Sequence, residues 1–138
     1  VSIQDKTILK SYFETGDKPT QAEFGHLIDS SAGKLVVSLD YADPLITDLT
    51  TGHVFKVTVT GAMKIENPTG AIDGNAYMWM ITQGGAGSHA ITYGTKFKLP
   101  SSASPLSWST AAGAMDIFAV QYDATLDLFY IVSMIPGY

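Results

Sequence analysis

The feature that most constrains this chain is the spacing of its apolar residues after Lys34. In His53–Thr60, Phe55, Val57 and Val59 alternate with Lys56, Thr58 and Thr60. A period of two places the two sets on opposite faces of a half-buried strand. Similar short runs occupy Lys34–Leu39, Met63–Ile65, Tyr77–Ile81, His89–Tyr93, Phe97–Leu99, Met115–Tyr122 and Leu128–Met134. Turn residues separate them, including Asn67-Pro68-Thr69-Gly70, Asp73-Gly74 and the Gly84–Gly87 loop. Tyr77–Ile81 is apolar on both faces and is expected at the centre of a sheet. The last two runs, joined across Asp123–Asp127, are expected to form a C-terminal hairpin. A parallel α/β fold needs crossover helices of about ten residues or more, and the spaces between these runs hold none. The expected body is therefore an antiparallel β-sandwich or barrel-like domain over residues 34–138.

Residues 1–33 follow a different period. Ile8, Leu9, Tyr12 and Phe13 make one stripe of a helix that Asp5 caps and Thr15-Gly16-Asp17 ends. Pro19 then precedes Thr20-Gln21-Ala22-Glu23, a capping box in which each side chain satisfies the other residue's amide. Phe24, Leu27 and Ile28 form the apolar stripe of the second helix. This is a short helix-turn-helix arm. Tyr12, Phe13, Phe24 and Leu27 are its candidate partner-interface residues.

Composition removes several classes of function. The formal charge is -5, the eight cations are all lysines, and they are scattered. Nucleic-acid binding needs clustered cations, with arginine the usual choice for phosphate and base edges, so no nucleic-acid partner is expected. No cysteine is present, which excludes disulfides and thiolate metal sites. No apolar run reaches the roughly 18 residues of a membrane helix and no signal segment opens the chain, so no membrane partner is expected.

Catalytic patterns are missing as well. His26, His53 and His89 lack metal-ligand spacing. Gly87-Ser88-His89 is not a nucleophile elbow, because it lies in a loop that leads to a strand. Gly84–Gly87 likewise feeds a strand, without the helix or lysine of a phosphate cradle. Asp40, Asp43 and Asp48 lack the alternating ligands and terminal Glu of a calcium loop. Asp73, Asp116, Asp123 and Asp127 fall mostly at turns or strand starts, where aspartate has local reasons to be. The chain is read as non-enzymatic, with no catalytic residue, cofactor or metal.

Two stretches carry a resemblance. Leu9-Lys10-Ser11-Tyr12-Phe13-Glu14-Thr15-Gly16-Asp17-Lys18-Pro19-Thr20-Gln21-Ala22-Glu23-Phe24 resembles the opening of small tail-fibre and head-decoration proteins of tailed bacteriophages. The ordered series Asn67-Pro68-Thr69-Gly70, Asp73-Gly74, Ile81-Thr82-Gln83, Ile91-Thr92-Tyr93-Gly94, Phe97-Lys98-Leu99-Pro100 and Ser109–Ile117, then Tyr122-Asp123, is similar to a β-module of phage fibre and capsid-surface proteins. Many such proteins carry an Asp after the Gln and an Arg within the loop, where this chain has Gln83-Gly84-Gly85-Ala86-Gly87-Ser88. The resemblance implies a structural virion protein, often trimeric, with no catalytic residues to carry over.

A shaft needs many more residues than this, so the first expectation is a capsid decoration (cement) protein. It would bridge neighbouring subunits of the major capsid protein, or another virion protein, as a homotrimer on the virion surface after assembly in the host cytoplasm. The alternatives are a head- or tail-fibre or adaptor component, and a carbohydrate-binding receptor module with Tyr93 and Trp108 as its aromatic face.

Overall fold

The computed structural model describes residues 4, 6–11, 18, 20–31 and 35–138. Two helices, α1 (Lys6–Ser11) and α2 (Gln21–Ser31), precede eight strands. These are β1 (Val36–Leu39), β2 (Val54–Val59), β3 (Met63–Ile65), β4 (Ala76–Gln83), β5 (Ile91–Tyr93), β6 (Phe97–Lys98), β7 (Met115–Asp123) and β8 (Leu128–Ile135). Each of the eight runs read from the sequence becomes one strand. The joint between the helices falls mostly outside the described residues.

Six strands form one mixed sheet in the order β1-β2-β4-β7-β8-β6. β1, β2 and β4 are parallel neighbours, β7 runs antiparallel to both β4 and β8, and β6 is parallel to β8. Only β7 opposes the rest. The expected all-antiparallel sandwich or barrel is therefore corrected to a mixed, open sheet with edges at β1 and β6. β4 sits at the centre and β7–β8 form the C-terminal hairpin, both as read from the sequence.

The parallel pairs form without crossover helices because extended segments make the crossings. After β1 the chain enters a second layer at Leu45–Leu49, returns as β2, crosses again as β3, returns as β4, and crosses a third time as β5. β3 and β5 are parallel, and Leu45 and Asp48 make parallel bridges to Ile65 and Thr69. The chain thus coils like a short solenoid of three turns. The β7–β8 hairpin then closes the large sheet beside β4. An extended crossing spans the sheet in fewer residues than a helix and buries its own alternate side chains.

One core fills the space between the layers. Phe55, Trp79 and Phe118 stand opposite one another across β2, β4 and β7. Trp79 lies 5.8 Å from the Phe55 and Phe118 rings and 5.9 Å from that of Phe97. Leu45, Leu49, Met63, Ile65 and Ile91 cover this ladder from the second layer. Buried aromatics of this size dominate the stabilisation of a small domain, at about 25 cal/mol for each Å² removed from water. The layers are also joined by a buried hydrogen bond, in which Trp79 Nε1 donates to Thr47 Oγ1 at 3.0 Å.

Two further polar clamps tie crossing segments to the sheet. The fully buried Asp116 accepts hydrogen bonds from the Ser109 amide at 2.8 Å and the Gly137 amide at 3.2 Å. Gln83, also buried, donates to the His89 carbonyl and accepts from the His89 amide, each at 3.0 Å. That pair braces the Gly84–Gly87 loop, where Gly85 and Gly87 adopt positive φ. The loop leads to β5 in the other layer, so it is a layer crossing.

Candidate functional site

The capping box at α2 forms as its sequence dictates. The Thr20 amide donates to Glu23 Oε2 at 2.6 Å and the Glu23 amide donates to Thr20 Oγ1 at 3.3 Å. The Thr20 amide holds the Glu23 carboxyl below its ordinary pKa. Of the four candidate interface residues, Phe24 is 47% exposed and Leu27 half-buried. Tyr12 and Phe13 lie outside the described residues. Ile28, one turn after Phe24, is 64% exposed, so α2 presents an apolar strip to solvent.

The large sheet has a second face, and no strand of the second layer lies over it. Cross-strand register builds it in rows. Val36, Val54, Met78, Ala119 and Ser133 form one row; Ser38, Lys56, Met80, Ile117 and Ile135 the next; Thr58, Thr82 and Met115 a third. These side chains are half-buried or exposed. A bulge between Ala119 and Val120 leaves Val132 unpaired in β8 and 59% exposed.

An open groove of about 580 Å³ crosses this face at the carboxyl ends of β1, β2 and β4. Ser38, Lys56, Thr58 and Thr82 line it together with Met80 and Met115. Asp40, Tyr41 and Thr60, which follow β1 and β2, complete its rim. The Tyr41 hydroxyl donates to the Ala62 carbonyl at 2.7 Å, which fixes the ring at the groove's end. Gly61 makes that seat possible, since a Cβ there would stand 2.7 Å from the Tyr41 hydroxyl.

The other residues singled out by sequence serve the fold. Asp43 accepts the Lys64 amide and Asp48 the Thr50 amide and hydroxyl, so the Asp40, Asp43 and Asp48 set does not converge. Tyr93 and Trp108 both pack against Phe118, at 6.3 and 5.6 Å, and are not an exposed aromatic platform. His53 stacks on Tyr77, and the His89 ring meets the Gly84 carbonyl at 3.0 Å. Among the described residues no group of His, Asp and Glu is arranged to hold a metal, and no helix is long and apolar enough to cross a membrane.

A charged cluster braces the edge of the sheet. Asp127 bonds Lys96 and accepts the Tyr122 hydroxyl at 2.9 Å. The Lys96 and Tyr122 hydrogen bonds lower the Asp127 pKa, and the same Asp127 bond raises that of Tyr122. Beside β3, Lys64 pairs with Glu66 at 2.7 Å and lowers its pKa.

The groove was not legible in the sequence. Its residues come from four strands, β1, β2, β4 and β7, and the adjacency of the first three depends on the parallel coiling. The available signal was the polar set Ser38, Lys56, Thr58 and Thr82 at outward positions of apolar strands, which is also what solvent-facing positions look like.

Comparison with known proteins gives one family. No curated protein and no solved structure matches the chain. The family model described as "Putative phage tail fibre C-terminal domain" matches residues 45–126, from the first layer crossing to the β7–β8 turn. That is more than half of the 138 residues. The chain, a structural protein of a bacteriophage virion, belongs to the phage tail fibre C-terminal domain family.

Proposed function

We propose that this protein is a tail-fibre component carried on the virion surface, where it acts by assembly and binding rather than by catalysis. The observation that carries this reading is the family match over the β body. It favours the fibre role over the capsid-decoration role expected first from the sequence. The helical arm is the attachment element, joining the β domain to further copies in a homotrimer and to a neighbouring virion protein. Exposure of Phe24 and Ile28 on one strip of α2 supports this, since burying such a strip is the usual source of helix association. No nucleic acid, membrane, metal or cofactor takes part in the proposed role.

Immunogold labelling of intact particles, combined with copy-number measurement, tests the assignment. The expected result is label on the tail with on the order of a few dozen copies or fewer. Label spread over the head in hundreds of copies would restore the decoration reading. Deleting residues 1–33 should leave a folded β domain that no longer joins the particle, and normal incorporation would remove the arm's proposed role.

A further inference from the structure

The two ends of the large sheet are built like interior strands. At one end, among the described residues, β1 has a strand on one side only. The Val54 amide donates to the Leu35 carbonyl at 3.2 Å, and successive residues of a strand turn their peptide groups to opposite sides. The peptide groups of Val36 and Ser38 therefore face away from β2. At the other end β6 covers β8 only at Phe129 and Tyr130, so Ile131–Ile135 has no strand beyond it among the described residues. Exposed edges are normally blunted by lysine, other charges or proline, and neither stretch holds any. Both are instead apolar on both faces, the pattern of a strand inside a covered sheet. On the core side, Val37 and Leu39 of β1 and Met134 of β8 are only half-buried. On the other side Val36 is 56%, Val132 59% and Ile135 45% exposed.

We propose that these two edges pair with each other between copies, the free stretch of β8 adding to β1 of the next copy. The inference rests on the homotrimer proposed above and adds to the arm a junction in the β body. Strand direction favours this pairing. β7 is antiparallel to both β4 and β8, and β1 and β2 run parallel to β4, so β1 and β8 point the same way. Rotation about an axis along the strands keeps that direction. β8 then meets β1 of the next copy as a parallel pair, and a contact between two different patches repeats into a ring. Joining two β1 edges across a two-fold axis would leave both β8 edges bare. Width selects the number of copies. Five strands run from β1 to β8, so each copy with its junction takes about 24 Å at the usual spacing of about 4.8 Å. Three such sheets, with the uncovered face turned inward, stand about 7 Å from the axis, close to half the ~10 Å spacing of packed sheets. Four would stand about 12 Å away and leave a hole. Val36, Met78, Ile117 and Val132 line the interior of the ring of three, while Lys56 and Thr58 lie toward the carboxyl ends, at its open mouth.

Cysteine pairs in the full chain test the junction, since the chain has no cysteine of its own. Val36→Cys or Ser38→Cys is combined with Ser133→Cys or Ile135→Cys, so that the double variants cover the outward-facing registers of the pair. Within one copy these positions are separated by β2, β4 and β7. That is about 19 Å at the usual strand spacing, far beyond the roughly 7 Å that a disulfide can bridge. Adjacent strands of different copies bring them within reach. After mild oxidation and denaturing electrophoresis, at least one double variant should form linked species that end at three chains. The single variants should stay unlinked, because the two patches differ. Absence of linkage in every double variant, equal linkage in the single variants, or a ladder that runs past three chains would each overturn the proposal. Hydrogen exchange on the parent chain gives a reading without substitution. The Val36 and Ser38 amides should be protected as the Met78 amide is, which donates to the His53 carbonyl at 2.9 Å, and rapid exchange at both would overturn the junction. Light scattering on the parent separates the outcomes. Three chains per particle without linkage removes the edge pairing and leaves the homotrimer standing, whereas a single chain removes both.

Discussion

Replacing Thr47 by valine isolates a buried hydrogen bond between two side chains that joins the two layers. Thr47 and Trp79 are both completely buried, and Trp79 Nε1 donates to Thr47 Oγ1 at 3.0 Å. Valine keeps the shape and removes the acceptor. A buried donor left without a partner costs about 1–3 kcal/mol. The added methyl recovers about 0.8 kcal/mol of burial, so the net loss is about 1–2 kcal/mol. In a Trp79→Phe background the indole N–H is gone and the Thr47 hydroxyl is already orphaned. There Thr47→Val should be neutral or slightly stabilising. The coupling between the two sites is therefore about 2 kcal/mol, well above the 0.3–0.5 kcal/mol scatter of independent sites. Urea unfolding at fixed chain concentration, followed by far-ultraviolet circular dichroism, measures all four corners of the cycle. For a chain of this length each kcal/mol corresponds to roughly 3–5 °C in Tm. Equal losses from Thr47→Val in both backgrounds would refute the claim that this bond links the layers.

Three further results are expected. Asp127 and Glu66 have folded pKa values below their unfolded ones, so their contribution is present above about pH 4 and fades as the pH falls through the lowered values. Tyr122 works in the opposite sense: its raised pKa stabilises the fold below about pH 10, and this is lost as the pH rises through the folded value. Asp127→Asn should accordingly lower the pH at which Tyr122 ionises, read by phenolate absorbance, and a Tyr122 titration unmoved by the substitution would contradict the assigned cause. Asp116→Ala leaves the Ser109 and Gly137 amides without their buried acceptor, and should cost about 2–4 kcal/mol in urea unfolding. Hydrogen exchange should rise first at those two amides, and unchanged protection there would sink the clamp.

Much of this protein was written in local sequence. Alternation in His53–Thr60 identified β2 and put Phe55, Val57 and Val59 inward; Thr20 and Glu23 formed their capping box; and the Asp123–Asp127 turn joined a true hairpin. These features depend on residues close in the chain, where side-chain period and turn chemistry act directly.

Strand direction was decided elsewhere. Period-two alternation is identical in parallel and antiparallel strands, so nothing in Val54–Val59 states that it runs alongside β1 and β4. That choice is made when Leu45–Leu49, Met63–Ile65 and Ile91–Tyr93 fold over the Phe55–Trp79–Phe118 ladder, because each crossing buries its apolar side chains only if the chain returns on the same side. The groove inherits this dependence. Ser38, Lys56, Thr58 and Thr82 read singly as solvent-facing positions, and only the coiling of three parallel strands sets them in adjacent rows beside Asp40 and Tyr41.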